Sequence, residues 1–249
     1  MNALDRLVGG WLHRRIVALP LAHAALLNQY RSSEDFGKRY PKTVCAHLLE
    51  DGPLKAKYRK HQADEERHDR QYGALIRTLG GEPGPVGDAR DYLLWTWREA
   101  SAAGIGVPYA RFAEERPLDR AERMRLWALQ TAVEERGLVE LALHRAACAS
   151  LPRVLETLDA IERDERHHAE YSARALDEVA GAEAPALLAA MRGAEDRAYR
   201  RVTGAFLRDL AAGPLASAAL PARLGVRAIA AAMPAPGAAR GGAPPDSAW

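Results

Sequence analysis

From Pro20 onward the polar and apolar positions separate at helical spacing: Leu27, Tyr30, Glu34 and Gly37 share one face, and Asn28, Arg31, Asp35, Lys38 and Lys42 share another. Glu34 therefore points inward and its neighbour Asp35 outward. Breakers divide the rest of the chain into long helical stretches with short joints. Pro20 opens a first helix expected to run to about Glu50, bending at Pro41, where the ring removes an intrahelical donor. Asp51-Gly52-Pro53 is a turn, and a second helix runs from about Pro53 to Leu79 before Gly80-Gly81-Glu82-Pro83 stops it. Residues 84–117 form the longest connection, with a short helix over Asp88–Ala102 and the breakers Gly104-Ile105-Gly106-Val107-Pro108. The third helix, Leu118–Ala149, opens near Asp119. Leu151-Pro152 joins it to a fourth that ends near Gly181, and a fifth spans about Ala184–Ala212. The expected fold is all-α: a four-helix bundle with a long crossover between helices 2 and 3, plus a fifth C-terminal helix. One helical domain is expected over residues 1–233 with its core bundle at 20–181, followed by a proline-, glycine- and alanine-rich disordered tail at 234–249.

Composition supports that picture. Hydrophobic residues make up 48% of the 249 and aromatics only 6%, with few β-branched runs, as helices prefer. A formal charge of +2 gives little reason to expect a nucleic-acid partner. No stretch approaches a membrane span. The N-terminal run is interrupted by Arg14, Arg15 and Pro20 and does not read as a secretory signal, so a cytoplasmic location is the default expectation. Two cysteines, Cys45 and Cys148, are too few for a disulfide framework or a centre with paired CxxC ligands, and both read as small core fillers.

The candidate chemistry lies in a repeat. Glu34 is followed by Asp64-Glu65-Glu66-Arg67-His68, and Glu134 by Asp164-Glu165-Arg166-His167-His168, with 31 residues from glutamate to glutamate in each piece and 100 between pieces. Positions i and i+3 project from one helix face, so Glu65 with His68 and Glu165 with His168 can each hold a metal ion. Glu34 and Glu134 complete a set of four carboxylates and two imidazoles. That set suits two divalent irons, or manganese with iron, because four negative charges balance four positive ones. The turns agree: the midpoint from Glu34 to Glu65 falls beside Asp51-Gly52, and that from Glu134 to Glu165 beside Leu151-Pro152. In an antiparallel pair each glutamate then arrives level with its ExxH partner, and the long connection joins the two hairpins. Glu135, and the pair Asp164 with His167, are displaced alternatives ranked below Glu134 and below Glu165 with His168.

At these residues the chain resembles the ferritin-like superfamily of di-iron carboxylate proteins, over roughly residues 20–180 and with all six ligand positions filled. Asp64-Glu65-x-Arg67-His68 looks like the DExRH form of its oxygen-activating members. The resemblance implies two iron ions, dioxygen as co-substrate, and second-shell aspartates that orient the histidines, Asp64 supporting His168 and Asp164 supporting His68. It implies an oxidoreductase, monooxygenase-like, that oxygenates, N-oxygenates or desaturates a small organic substrate. The chain lacks a cysteine cluster, a P-loop and a dinucleotide fingerprint, so electrons would come from a separate ferredoxin or flavin reductase. The alternative is ferroxidase and iron handling, as in storage proteins of the same superfamily.

Other residues stay open at this level. His61, four residues before Glu65, is either a core histidine or a third imidazole ligand. Gly37 and Gly137, each three residues after a ligand, mark either close helix packing or space beside the metals. Tyr30 and Tyr72 are core aromatics or substrate-lining phenols. Arg192, Arg197, Arg200, Arg201 and Arg208 form either a solvated face or a dock for an acidic partner. The alanine-rich fourth and fifth helices either form a homodimer face or seal the monomer's own core.

Overall fold

In a computed structural model of the chain, residues 3–34, 46–108, 111, 114–213 and 220–233 are described. Every long element among them is an α-helix: α1 (Ala3–Val17), α2 (Pro20–Glu34), α3 (Pro53–Thr78), α4 (Tyr92–Ala102), α5 (Arg120–Ala147), α6 (Pro152–Ala180), α7 (Ala184–Ala212) and α8 (Leu220–Ala232). None is long and apolar enough to cross a membrane. The expected bend at Pro41, the residues Asp35, Gly37, Lys38, Lys42 and Cys45, and the 234–249 tail lie outside the described residues.

The helix boundaries follow from local chemistry. Prolines occupy the first turns of α3, α6 and α7, where their missing N–H costs nothing. α3 ends in a left-handed glycine, Gly80 at φ 78°, with Gly81 N–H donating to the Ile76 carbonyl at 3.0 Å and Gly80 N–H to that of Arg77 at 3.0 Å. These bonds close the last turn in the Schellman pattern. α5 opens on a reciprocal cap: the Glu122 N–H donates to the Asp119 carboxylate at 2.9 Å, and the Asp119 N–H to the Glu122 carboxylate at 2.8 Å.

Two helical pairs, α2 with α3 and α5 with α6, face each other through α3 and α6. The facing pair is antiparallel, since His61 meets Tyr171, Asp64 meets His168 and His68 meets Asp164. The buried stripe of α6 shows how the sequence arranges this. Val154, Leu158 and Ile161 lead to Glu165 and His168, and Tyr171, Ala175 and Leu176 follow, so two polar residues occupy positions that spacing assigns to the core. One apolar cluster, with Tyr72, Leu141, Leu158 and Ile161, closes one end of that polar stretch. Another, with Tyr58, Trp127, Tyr171 and Leu176, closes the other.

The connection from α3 to α5 contains a 3-10 turn at Asp88–Arg90 and then α4, which packs on α7. Its end is tied to α5 by buried Arg111, which donates to Glu122 at 2.7 Å and to the carbonyls of Arg116 and Pro117 at 2.7 Å each.

Two expectations need correction. α1 and α8 are helices that the reading of breakers did not assign. Neither has a regular charged face to announce it, and α1 carries Gly9-Gly10 in mid-helix. Both bury residues around α7, Leu12 and Ile16 from α1 and Val226 and Ala230 from α8, so tertiary packing holds them. The helix from Pro20 is described as far as Glu34, residues 35–45 lie outside the described residues, and Ala46–Leu48 form a turn, so the helix does not run on to about Glu50. Arginines of α7, open between a solvated face and a dock, have acidic partners within the chain: Arg192 pairs with Glu135, Arg197 and Arg201 with Glu99, and Arg200 with Asp196. Of the two roles open to the alanines, the chain itself shows one, since Ala175, Ala180, Ala194, Ala198 and Ala205 are buried within it.

Candidate metal centre

Four helices bring the ligand-type residues together. α2 contributes Glu34 from its last turn, α5 contributes Glu134, and α3 and α6 contribute Glu65 with His68 and Glu165 with His168. His68 Nδ1 lies 3.3 Å from Glu34 Oε2, 3.1 Å from Glu165 Oε1 and 4.0 Å from Glu65 Oε2. His168 Nδ1 lies 3.3 Å from Glu65 Oε1 and 3.3 Å from Glu165 Oε2. Glu65 and Glu165 thus each turn one oxygen toward each imidazole, the geometry of two bridging carboxylates. Glu34 stands on the His68 side. Ligating atoms of Glu34, Glu65, His68 and Glu165 fall within 4.8 Å of one another, and so do those of His61, Glu65, Glu134 and His168.

Behind the imidazoles stand the aspartates, crossed between the helical pairs as expected. Asp64 Oδ2 is 3.3 Å from His168 Nε2, and Asp164 Oδ2 is 3.3 Å from His68 Nε2. Each carboxylate accepts from Nε2–H, so that a ring losing its second proton would turn the Nδ1 lone pair toward the carboxylate cluster. Arg67 joins the two, donating to Asp64 Oδ1 at 2.8 Å and to Asp164 Oδ2 at 2.8 Å. The displaced candidates lie elsewhere. Glu135 is half-buried and paired with Arg192, and His167 is exposed with its Nδ1 on the Arg163 carbonyl at 2.7 Å.

His61 belongs to the centre. Its Nε2 is 2.7 Å from Glu65 Oε1 and 3.4 Å from Glu134 Oε1, its ring stacks on His168 at 3.6 Å between centroids, and its Nδ1 meets Tyr171 Oη at 2.6 Å. The position 100 residues on is Ile161, so the repeat is broken here and only the Glu134 side carries a second imidazole. Sequence spacing did not single out Gln130, which donates to Glu134, or Tyr171. Gln130 had a legible signal, one helical turn before Glu134 on the same face. Tyr171 had none, because its partner lies on another helix.

Electrostatics sort the carboxylates into two kinds. Burial lifts Glu34 and Glu134 well above the usual carboxylate range, and the charges of Glu65 and Glu165 respectively push them further. Burial pushes Glu65 and Glu165 the same way but is outweighed by hydrogen bonds, from Glu34, His168 and His61 on Glu65 and from His168 and His68 on Glu165, which hold both low. Burial disfavours charge on the imidazoles too, yet the facing carboxylates win. His68 rises to about 9, through Glu165 and Glu65, and His168 to about 11, also through Glu165 and Glu65. In the metal-free chain, protons therefore neutralise a dry cluster of carboxylates. The donor set of four carboxylates and three imidazoles, with the histidine tautomers fixed from behind, fits two divalent cations in the place of those protons.

A cavity of about 190 Å³ opens on this centre. Glu34, His61, Glu65, Glu134 and Glu165 line one part of it, and Leu93, Leu126, Leu129, Val133, Val202 and Phe206 much of the remainder. The charged arginine on its wall and a tyrosine beside it are engaged with carboxylates. Arg136 grips Glu195 at 2.9 and 3.0 Å, and Tyr199 donates to Glu140 at 2.7 Å. Gly137 also lines it, and a Cβ there would meet nothing within 4 Å. Of the two readings of that glycine, the structure supports open space.

A scan against protein-family models returns no match, and searches of the curated proteins and of the solved structures return none either.

Two outcomes test this arrangement. Glu134→Ala and His168→Ala should each lower metal content from two ions per chain toward one or none while leaving a helical circular-dichroism spectrum, and two ions retained in both variants would exclude the ligand set. The second concerns pH. Folded metal-free protein keeps His68 and His168 protonated where an unfolded imidazole, at about 6.5, has lost its proton, so their stabilisation is complete below that value and is lost as pH rises through about 9 and then about 11. The urea midpoint of metal-free protein should fall between pH 7 and 10, and that of metal-loaded protein, whose ligands are already deprotonated, should lack the decline.

Proposed function

We propose that this chain is a ferritin-like, non-haem di-iron oxidoreductase that uses dioxygen to oxygenate, N-oxygenate or desaturate a small apolar organic substrate. The observation that carries the reading is the pair of ExxH segments meeting antiparallel, with Glu65 and Glu165 each turned toward both imidazoles and an apolar cavity against them. Glu34, Glu65, His68, Glu134, Glu165 and His168 would hold the two ions, with His61 as a further donor on the Glu134 side. Two irons so held would supply the reduction of dioxygen and the oxidising power for the substrate.

The chain's own residues do the rest. Asp64 and Asp164, locked by Arg67, fix the imidazole tautomers so that Nδ1 is always the donor. The apolar clusters at both ends of the polar stretch keep water from the centre and strengthen every charge interaction inside it. Because the charged groups on the cavity wall already have partners, an apolar substrate leaves no buried charge unpaired, and a charged one finds none to receive it. In size the cavity slightly exceeds the engineered space of about 150 Å³ that accepts benzene, which points to a single ring or a short alkyl segment. An external ferredoxin or flavin reductase would supply electrons.

The deciding experiment is anaerobic reconstitution with ferrous iron followed by rapid mixing with dioxygen. Two irons per chain, a transient visible absorption and stoichiometric oxygen uptake are expected. Ferric product that accumulates far beyond two irons would instead favour ferroxidase activity, and no bound iron would exclude both. The cavity is tested at Gly137: Gly137→Ala should raise stability to urea by about 0.5–1 kcal/mol, since the helix gains and nothing clashes. Gly137→Leu should keep both irons and lose turnover of the bulkier substrates.

A further inference from the structure

A second group of ligand-type side chains converges away from the carboxylates, between the first half of α2 and the end of α5. His23, His144 and Cys148 are all fully buried. The two Nε2 atoms lie 3.1 Å apart, and Cys148 Sγ lies 3.6 Å from Nε2 of His144 and 3.9 Å from Nε2 of His23. The rings stand edge to face, with centroids 5.0 Å apart, and both nitrogens and the sulfur lie within 4.8 Å of one another.

The three edges have the dimensions of a coordination triangle. An ion bonded to two imidazole nitrogens at about 2.0–2.1 Å and a thiolate at about 2.3 Å sets N–N edges of about 3.3–3.6 Å and N–S edges of about 3.6–3.8 Å, between tetrahedral and trigonal angles. The observed edges agree to within a few tenths of an ångström. A hydrogen bond between the imidazoles explains only the shortest edge and gives the sulfur no reason to face both rings. Each ring also has a buried Nδ1 without a hydrogen-bond partner, so the outer sides of the pair offer no competing polar anchor.

The surroundings select the ion. The walls are apolar, from Ala24, Leu27, Leu141, Val154, Leu158 and Ile161. The facing titratable neighbours are His13 and Tyr30, which are bonded to each other at 2.8 Å, and the carboxylate of Glu140 reaches His13 at 3.7 Å. Two neutral imidazoles and one thiolate carry a single negative charge. A monovalent ion makes a neutral complex in this dry pocket, whereas a divalent one leaves a buried positive charge with no carboxylate beside it. Sulfur with imidazole is a soft donor set. We propose that His23, His144 and Cys148 form a second, mononuclear site for a soft monovalent cation, copper(I) being the physiological ion of that class. Burial and repulsion from His13 keep the ring of His23 neutral, its pKa lowered to about 4, so its lone pair is available. Burial raises the Cys148 thiol to about 11, so loading displaces one proton from sulfur.

The site is independent of the di-iron reading and is tested on the full chain by anaerobic titration with copper(I) against a chromophoric chelator. One tightly held equivalent is expected in the wild type and in Cys45→Ser, which removes the other thiol. Binding should weaken at least about 100-fold in Cys148→Ser, beyond what losing a mere supporting partner costs. X-ray absorption of the wild-type complex should show one sulfur and two nitrogen neighbours, a result that does not depend on whether a variant folds. Failure to bind copper(I), equal binding by Cys148→Ser, loss in Cys45→Ser instead, or displacement by equimolar zinc(II) would each overturn the proposal.

Discussion

Four glutamates enclosed by two apolar clusters are the constraint from which the rest of the centre follows. Carboxylates that close, cut off from water, cannot all remain ionised without positive charge among them. The chain meets the demand in layers. Imidazoles sit between the glutamates, aspartates sit behind the imidazoles, and a half-exposed arginine, Arg67, closes the outermost layer against solvent. Negative and positive groups alternate outward from the core, and each layer is positioned by the one beyond it. The helices supply only the register, three or four residues between successive contributors.

Much of this was legible because helical periodicity and ligand spacing repeat the same information. The doubled interval from glutamate to ExxH, mirrored about two turns, carries the two helical pairs and the six residues, while the crossed aspartates follow from the resemblance to the ferritin-like superfamily. What was not legible depended on contacts between distant segments. α1 and α8 have sequences that could remain unstructured, and only the surfaces of α5 and α7 make their helices worthwhile. His61 stayed open between a core histidine and a third ligand because its partners, Glu134, His168 and Tyr171, lie on two other helices. Cys148 looked like a filler for the same reason: nothing in the spacing from position 23 to 144 announces that two imidazoles will meet a thiol.

The cavity is walled by residues that bind one another. Arg136, Glu195, Tyr92, Tyr199 and Glu140 form ionic and hydrogen-bonded contacts that join α4, α5 and α7 beside the open space. Engaged with one another, they brace the wall and leave its inner surface oily. The long connection between the helical pairs thus has a structural use: it brings α4 to α7, so that α4, α5 and α7 together wall the cavity.

The replacement of His61 by Ile161 in the second half of the repeat has a consequence beyond ligand number. A centre built from two matching halves would be ambidextrous, its two positions exchangeable by rotation. With one extra nitrogen on the Glu134 side, two ions held here would meet unequal positions: the nitrogen-rich one would favour the ion higher in the Irving–Williams order, and the oxygen-rich one beside Glu34 the harder ion. One unmatched side chain gives a near-symmetric scaffold a direction.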